Sequence, residues 1–170
     1  MSQLYTSART SINSGRLPAV YSKARFDSHF VLDYGCGKYT DHIREHLRRQ
    51  GCILLPYDPY NQPQEVNEHT IKAIWQAIDL RYPLDVVCSN VLNVINDDTT
   101  VRFIAETIEN IVEKTDGTAY ITVYEGDRSG HGRQTGTDQY QRNEPLRNYL
   151  RFFRNGIIKN GMIVIRPVSA

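Results

Sequence analysis

Apolar residues in this chain arrive in short bursts, separated by polar stretches of helical length. Residues 30–33, Phe-Val-Leu-Asp, form an apolar run that closes at Gly35 and Gly37, which predicts a buried strand. Residues 40–50 predict a helix stopped by Gly51. Residues 52–57 make a second apolar run, ended by Asp58 and Pro59. Residues 68–77 predict a helix with Ile71, Ile74 and Trp75 on one face. Residues 85–89 predict another strand. Asp97 or Asp98 then caps the clearest helix, in which Val101, Ile104, Ile108, Ile111 and Val112 recur at helical spacing before Asp116-Gly117 ends it. Residues 118–124 are rich in β-branched and aromatic side chains and predict a strand. Residues 125–143 are polar, carry four glycines and predict a long loop, of the kind that is usually functional or mobile. Residues 145–153 predict a helix with Pro145 in its first turn. Ile157-Ile158 and residues 162–165 flank Asn160-Gly161, a favourable hairpin turn.

Alternating strands and helices predict an α/β fold, with a mostly parallel sheet, helices on both faces and a C-terminal antiparallel hairpin. Ligands on such sheets bind beyond the carboxyl ends of the strands, near the point where strand order reverses. A length of 170 residues without internal repeats predicts one domain. Its parts are a basic N-terminal segment (1–29), a core (30–125), a polar loop (126–143) and a C-terminal helix and hairpin (144–170).

Composition narrows the class. With 40% hydrophobic and 23% charged residues, the chain has enough apolar surface to fold as a globular protein. No apolar run approaches the roughly 18 residues of a membrane span, so no membrane partner is expected. Residues 1–15 lack an apolar secretory core. Three scattered cysteines without a paired motif predict neither disulfide nor metal site and suit a reducing, cytoplasmic setting. Charge is unevenly placed: residues 1–50, 51–127 and 128–170 carry net charges of +4, −9 and +6. Basic ends imply either an anionic partner or pairing with the acidic middle.

The chemistry concentrates at Asp33-Tyr34-Gly35-Cys36-Gly37, between a strand and a helix. Two glycines allow a tight turn and close approach of a ligand, and the next helix offers its N-terminal N–H groups. Thr40 stands where a dinucleotide fingerprint would have its third glycine, which disfavours NAD. An acidic Asp33 inside the turn suits a ligand carrying an ammonium group. Asp58 ends the second strand 21 residues past Gly37, where a carboxylate can accept hydrogen bonds from ribose hydroxyls.

At these residues the chain resembles the class I S-adenosylmethionine-dependent methyltransferases. V-L-D-Y-G-C-G at 31–37 is similar to their first motif, Asp58 to the acidic residue of their second, and residues 85–95 to their fourth. The resemblance spans residues 30–125. More narrowly, L-D-Y-G-C-G, Y-D-P-Y at 57–60 and N-V-L-N-V-I at 90–95 resemble a branch found in phages and bacteria, part of it associated with DNA modification. The resemblance implies a Rossmann-like methyltransferase fold and S-adenosylmethionine as cofactor. The backbone from Tyr34 through Gly35, Cys36 and Gly37 would cradle the cofactor's amino acid and ribose, and Asp33 would act through water or directly on its ammonium. Asp58, followed by Pro59, would bind the ribose hydroxyls. Ser89 and Asn90 would border the methionine part. Adenine would be met from a third strand, here residues 75–80, by Ala77 or Asp79.

The acceptor side falls to the loop after the last parallel strand, with Arg128, His131, Arg133, Tyr140, Gln141 and Arg142 as candidates. Arginines beside an aromatic suit phosphates and stacked bases, and His131 is the one candidate general base. Arg9, Arg16, Lys23 and Arg25 in the N-terminal segment would add positive charge to the same face. The expected acceptor is nucleic acid or another anionic molecule, methylated at nitrogen or oxygen. The alternatives are a small-molecule or protein acceptor, and a module that binds the cofactor without turnover. The chain is compact for that fold and carries no inserted target-recognition domain, so on DNA or RNA either its specificity would be modest or a protein partner would supply it. Ser89-Asn90-Val91-Leu92 replaces the Pro-Pro-Tyr or Pro-Pro-Phe run of amino-directed DNA methyltransferases. Cys88 lies within an apolar strand and lacks a preceding proline, so it reads as a small hydrophobe and not as a nucleophile. His42, Glu45 and His46 match a zinc pattern, but Arg44, Arg48 and Arg49 beside them favour a cationic, solvated face.

Overall fold

The computed structural model describes residues 15–137 and 139–168. A short helix α1 (Val20–Lys23) precedes β1 (Phe30–Tyr34), α2 (Asp41–Arg49), β2 (Ile53–Tyr57) and α3 (Gln64–Asp79). β3 (Leu84–Ser89), α4 (Asp98–Thr115) and β4 (Ala119–Thr122) follow. A small hairpin, β5 (Arg133–Gly136) and β6 (Gln139–Gln141), then leads to a 3-10 helix (Leu146–Phe152) and the terminal hairpin of β7 (Gly156–Lys159) and β8 (Met162–Ile165). The six-stranded sheet runs β2-β1-β3-β4-β8-β7. β2, β1, β3 and β4 are parallel, while β8 lies antiparallel to both β4 and β7.

Side-chain alternation divides the central strands between two cores. Val31, Leu54, Val87 and Tyr120 face α1 and α2, meeting Val20, Ile43 and Leu47. Leu32, Leu55, Val86 and Cys88 face α4 and the 3-10 helix, meeting Ile104, Ile108 and Phe152. Both faces are covered, which is why β1 and β3 read as unbroken apolar runs. The expected helix signals operate as read. The Asp97 carboxylate accepts from the N–H groups of Thr99 and Thr100, and Asp116 ends α4 in a left-handed conformation. Asn160 and Gly161 both have positive φ, the requirement of a two-residue hairpin turn.

Three elements differ from expectation. Residues 75–80 form no third strand: α3 runs through them to Asp79. Pro56 gives the reason. The Tyr57 carbonyl faces β1, accepting from the Gly35 N–H, so the neighbouring Pro56 presents its backbone to the open edge. Pro56 has no N–H to offer another strand, and the Thr70 hydroxyl of α3 occupies its carbonyl at 2.6 Å. α3 also turns a different face to the sheet: Thr70 and Ala77 are buried, while Ile71 and Trp75 are exposed. Small side chains let the helix sit close to β2. Finally, the long polar loop contains the β5–β6 hairpin; the helix expected after it is present as a 3-10 helix, Leu146–Phe152.

Candidate functional site

β1 connects to β2 on one side and neighbours β3 on the other, so strand order reverses at the carboxyl ends of β1 and β3. The two-glycine turn sits at that point. Gly35 and Gly37 both have positive φ, which favours glycine. A Cβ on Gly35 would lie 2.3 Å from Cγ2 of Val91, so the loops after β1 and β3 touch across the opening.

The turn is held from below by the loop after β2. The N–H groups of Gly35 and Cys36 donate to the Tyr57 carbonyl. The Gly37 N–H donates to Oδ2 of Asp58 at 2.9 Å, and the Gln62 amide donates to the Gly37 carbonyl at 2.7 Å. Oδ1 of Asp58 accepts from the N–H groups of Tyr60 and Asn61 and from the Asn61 side chain. Asn67 then clamps the backbone N–H and C=O of Asp58 from α3. Asp58, expected to meet ribose, thus already accepts four hydrogen bonds, about the capacity of a carboxylate. Pro59 occupies the exposed crest of this turn.

Asp33 is different. It is 2% exposed and its Oδ2 accepts from the Tyr21 hydroxyl of α1. Its Oδ1 is buried without a partner among the described residues. Burial raises its pKa to about 7, against the lowering effect of the Tyr21 hydrogen bond and with a further push from the Asp58 charge. A buried carboxylate with an oxygen to spare suits a cationic hydrogen-bond donor. Burial, with the Asp33 charge, also raises the Cys36 and Cys88 thiols well above their ordinary range, so neither is a ready nucleophile. The rings of Tyr34 and Tyr57 close one wall, 4.9 Å apart at the ends of adjacent strands.

Across the opening, the Ser89 hydroxyl accepts from Thr122 at 3.0 Å. The Asn90 N–H donates to the Thr122 carbonyl, with Asn90 itself at positive φ and exposed. Beyond it, buried Asn93 binds the hairpin, its amide donating to Gln141 at 3.1 Å and its carbonyl accepting from the Arg142 N–H. Gln141 and Arg142 therefore face inward. Gln141 donates to the Tyr124 carbonyl, and Arg142 donates to the Ile95 carbonyl and pairs with Asp98 and Glu144. These two anchor the hairpin to the fold. Tyr140 is half-buried against Gly132, whereas Arg128, His131 and Arg133 remain exposed. Arg128 pairs with Glu125.

Several expected residues lie elsewhere. α3 runs antiparallel to β2 and β3, which puts Ala77 and Asp79 at the amino edge of the sheet, away from the glycine turn. Asp85, inside the third matching motif, is also at that edge. Its carboxylate accepts from the N–H groups of Asp27, Ser28 and Thr118, a clamp on three segments. The basic N-terminal residues are spread out. Arg9 lies outside the described residues, and Arg16 is exposed. Arg25 pairs with Asp27 near the amino edge, while the Lys23 amine lies by Gly161 near the carboxyl edge. Glu45 is engaged by Arg48 and Arg49, and His46 approaches the Tyr21 carbonyl and the Gln50 amide. No group of three His, Cys, Asp or Glu side chains among the described residues could hold a metal. No helix among them is long and apolar enough to cross a membrane.

The sequence reading missed Tyr21, Gln62, Asn67 and Asn93. Tyr21, Gln62 and Asn93 act through partners 12, 25 and 48 residues away, and Asn67 through one nine residues away; Asn93 stands inside the 90–95 motif, but nothing local gives it a role. No known protein family matches the chain, and neither a curated protein nor a solved structure does.

Proposed function

We propose that the chain is an S-adenosylmethionine-dependent methyltransferase acting on a nitrogen or oxygen acceptor. The observation that carries this reading is Asp33, a buried carboxylate with an unpartnered oxygen beneath a two-glycine turn at the reversal of strand order. An ammonium donor fits that oxygen and would restore the charge balance that burial disturbs.

When bound, the cofactor would supply a methyl group already activated by its sulfonium, so much of the rate enhancement would come from placement. The residues of the chain do the placing. Asp33 holds the amino group, and the bare Cα of Gly35 lets the loop after β3 close against the turn through Val91. Tyr34 and Tyr57 shield one side from water. Ser89 and Asn90 border the side from which the acceptor enters. Asp58 keeps the glycine turn in shape; a ribose diol would reach its carboxylate by displacing the Tyr60 and Asn61 donors. A histidine base is not required by this arrangement, and His131 is an exposed residue of the acceptor side.

Calorimetric titration with S-adenosylmethionine, S-adenosylhomocysteine and NAD tests the reading, with Asp33→Asn as the paired variant. The expected result is binding of the first two, NAD silent, and affinity at least tenfold weaker in Asp33→Asn. Folded protein, freed of carried-over ligand, that binds neither sulfur compound would overturn the proposal. Binding without product over nucleic-acid, protein and small-molecule pools would instead favour a non-catalytic module.

A further inference from the structure

The exposed apolar side chains of the molecule fall into separate groups. Ile71, Trp75 and Leu80 lie along α3, and Ile157 and Ile158 on the β7 edge strand. In the loops at the carboxyl edge of the parallel strands, the group is different: it is made of tyrosines. Tyr39 follows β1, Tyr60 follows β2 and Tyr124 follows β4, and they are 53%, 49% and 63% exposed. A phenol keeps a large flat ring wettable, so such a ring can stand in water until a flat partner covers it.

We infer that the acceptor is a single-stranded nucleic acid, laid across this edge with its bases stacked on Tyr39, Tyr60 and Tyr124; the word acceptor rests on the methyltransferase reading. Three features support the inference. The first is width. β2 and β4 are three strand spacings apart, roughly 14 Å, so Tyr60 and Tyr124 stand too far apart to clasp one small ring but can take non-adjacent bases of an extended strand. Between them, the end of β3 places Ser89 and Asn90 beneath the middle of the path. The second is charge of the right sign beside the rings. Lys38 already lies over the Tyr39 ring, 5.6 Å from its centroid. The third is the form of recognition. Aromatic faces with few fixed hydrogen-bond donors accept any base, but only a base that is out of a duplex stack offers its face. Gln141 and Arg142, turned inward to hold the hairpin, leave this task to the tyrosines.

The test uses fluorescence anisotropy with 20-nucleotide oligo-dT, oligo-U and a 20-base-pair duplex, at low and high salt, on the whole chain. The double variant Tyr39→Ala/Tyr124→Ala and its Tyr→Phe counterpart are compared, and S-adenosylhomocysteine affinity is measured on each. Both single strands should bind more tightly than the duplex. The alanine variant should lose roughly 20-fold or more, from about 1–3 kcal/mol per stacked base, and the phenylalanine variant should stay within about threefold of the native chain. Homocysteine-ligand affinity should be unchanged in both. Failure to bind either single strand, equal or tighter binding of duplex, or an alanine variant that binds as well as the native chain would overturn the inference, and cofactor binding would still stand. Oligonucleotide binding by a chain that binds no cofactor would remove the acceptor claim through the reading beneath it. The oligo-dT and oligo-U arms tell DNA from RNA.

Discussion

Among the described residues Asp33 has one donor, where an ionised carboxylate ordinarily has several, and the fold therefore favours its protonated form. Its pKa rises from an ordinary 3.8 to about 7 because burial outweighs the Tyr21 bond. The sign of the stability effect follows. The folded state holds this proton more tightly than the unfolded chain, so the associated stability is fully present below about pH 4 and is lost as pH rises towards 7. Cation binding runs the other way, since it needs the carboxylate, so affinity for the ammonium ligand should climb over the same window and level off above it. Asp33→Asn removes the charge and keeps an acceptor for Tyr21. At pH 8 it should be more stable than the native chain, by on the order of 1–4 kcal/mol, with a flatter stability profile between pH 4 and 7. Urea denaturation at pH 5, 6, 7 and 8 measures both effects. A variant less stable than the native chain at pH 8 would show that the Asp33 charge is compensated in the absence of ligand. On the methyltransferase reading, function and stability would oppose one another at this residue, as is common where a site keeps a group ready for a ligand.

The β5–β6 hairpin is an element that its own sequence barely holds. Its first strand is almost wholly exposed and its pairing is broken by a register shift between Gln134 and Gly136. What fixes it is the buried set of Asn93, Gln141 and Arg142 at its exit. Arg142 is 6% exposed, and its guanidinium ties the Ile95 carbonyl, Asp98 and Glu144 together. Arg142→Met should therefore cost about 2–4 kcal/mol, because it strands buried partners. It should also loosen the hairpin so that trypsin cuts faster after Arg128 and Arg133, while S-adenosylhomocysteine affinity changes less than threefold. A hairpin that resists trypsin as before would place the anchor elsewhere. The same hairpin shows where sequence reading stops. Helix α4 was legible because its five apolar residues repeat at helical spacing and Asp97 caps it through its own neighbours. The glycine turn was legible because a strand, two glycines and a helix follow one another directly. Residues 133–141 show no alternation, and their anchor at Asn93 lies about 48 residues away in the chain. Tyr21 sat unremarked in a basic segment, and its partner Asp33 is 12 residues on. Pro56 carries a signal of its own: a proline inside an apolar strand marks a sheet edge, which argues against a third strand beyond it.

At the scale of the molecule, the two edges of the parallel strands are built differently. The amino edge is stapled by buried carboxylates, with Asp85 joining residues 27, 28 and 118. Below α4, Glu109 holds the backbone N–H groups of Arg154 and Asn155. These staples also resolve part of the charge asymmetry. Arg142 reaches Asp98, Arg154 reaches Glu109 and Glu113, and Arg128 reaches Glu125, so several basic residues of the C-terminal third pair with the acidic middle. The carboxyl edge carries the glycine turn, the Asp58 loop, the loop after β3 and the exposed tyrosines, with Lys38 over the Tyr39 ring and the Arg133 charge facing Asp127. A fold anchored at one edge and assembled from loops at the other should respond to its ligand unevenly. Backbone opening is easiest where few buried contacts hold a segment, and a ligand that bridges such segments slows it. Hydrogen exchange followed by mass spectrometry, with and without S-adenosylhomocysteine, should therefore show added protection in residues 33–37, 58–62 and 89–95. Residues 27–28, 117–119 and 153–156 should exchange alike in both states. Protection spread evenly over both edges would mean that the ligand acts by global stabilisation alone. Protection confined to α3 or the β7 edge would move the binding site away from the glycine turn and remove Asp33 from the chemistry.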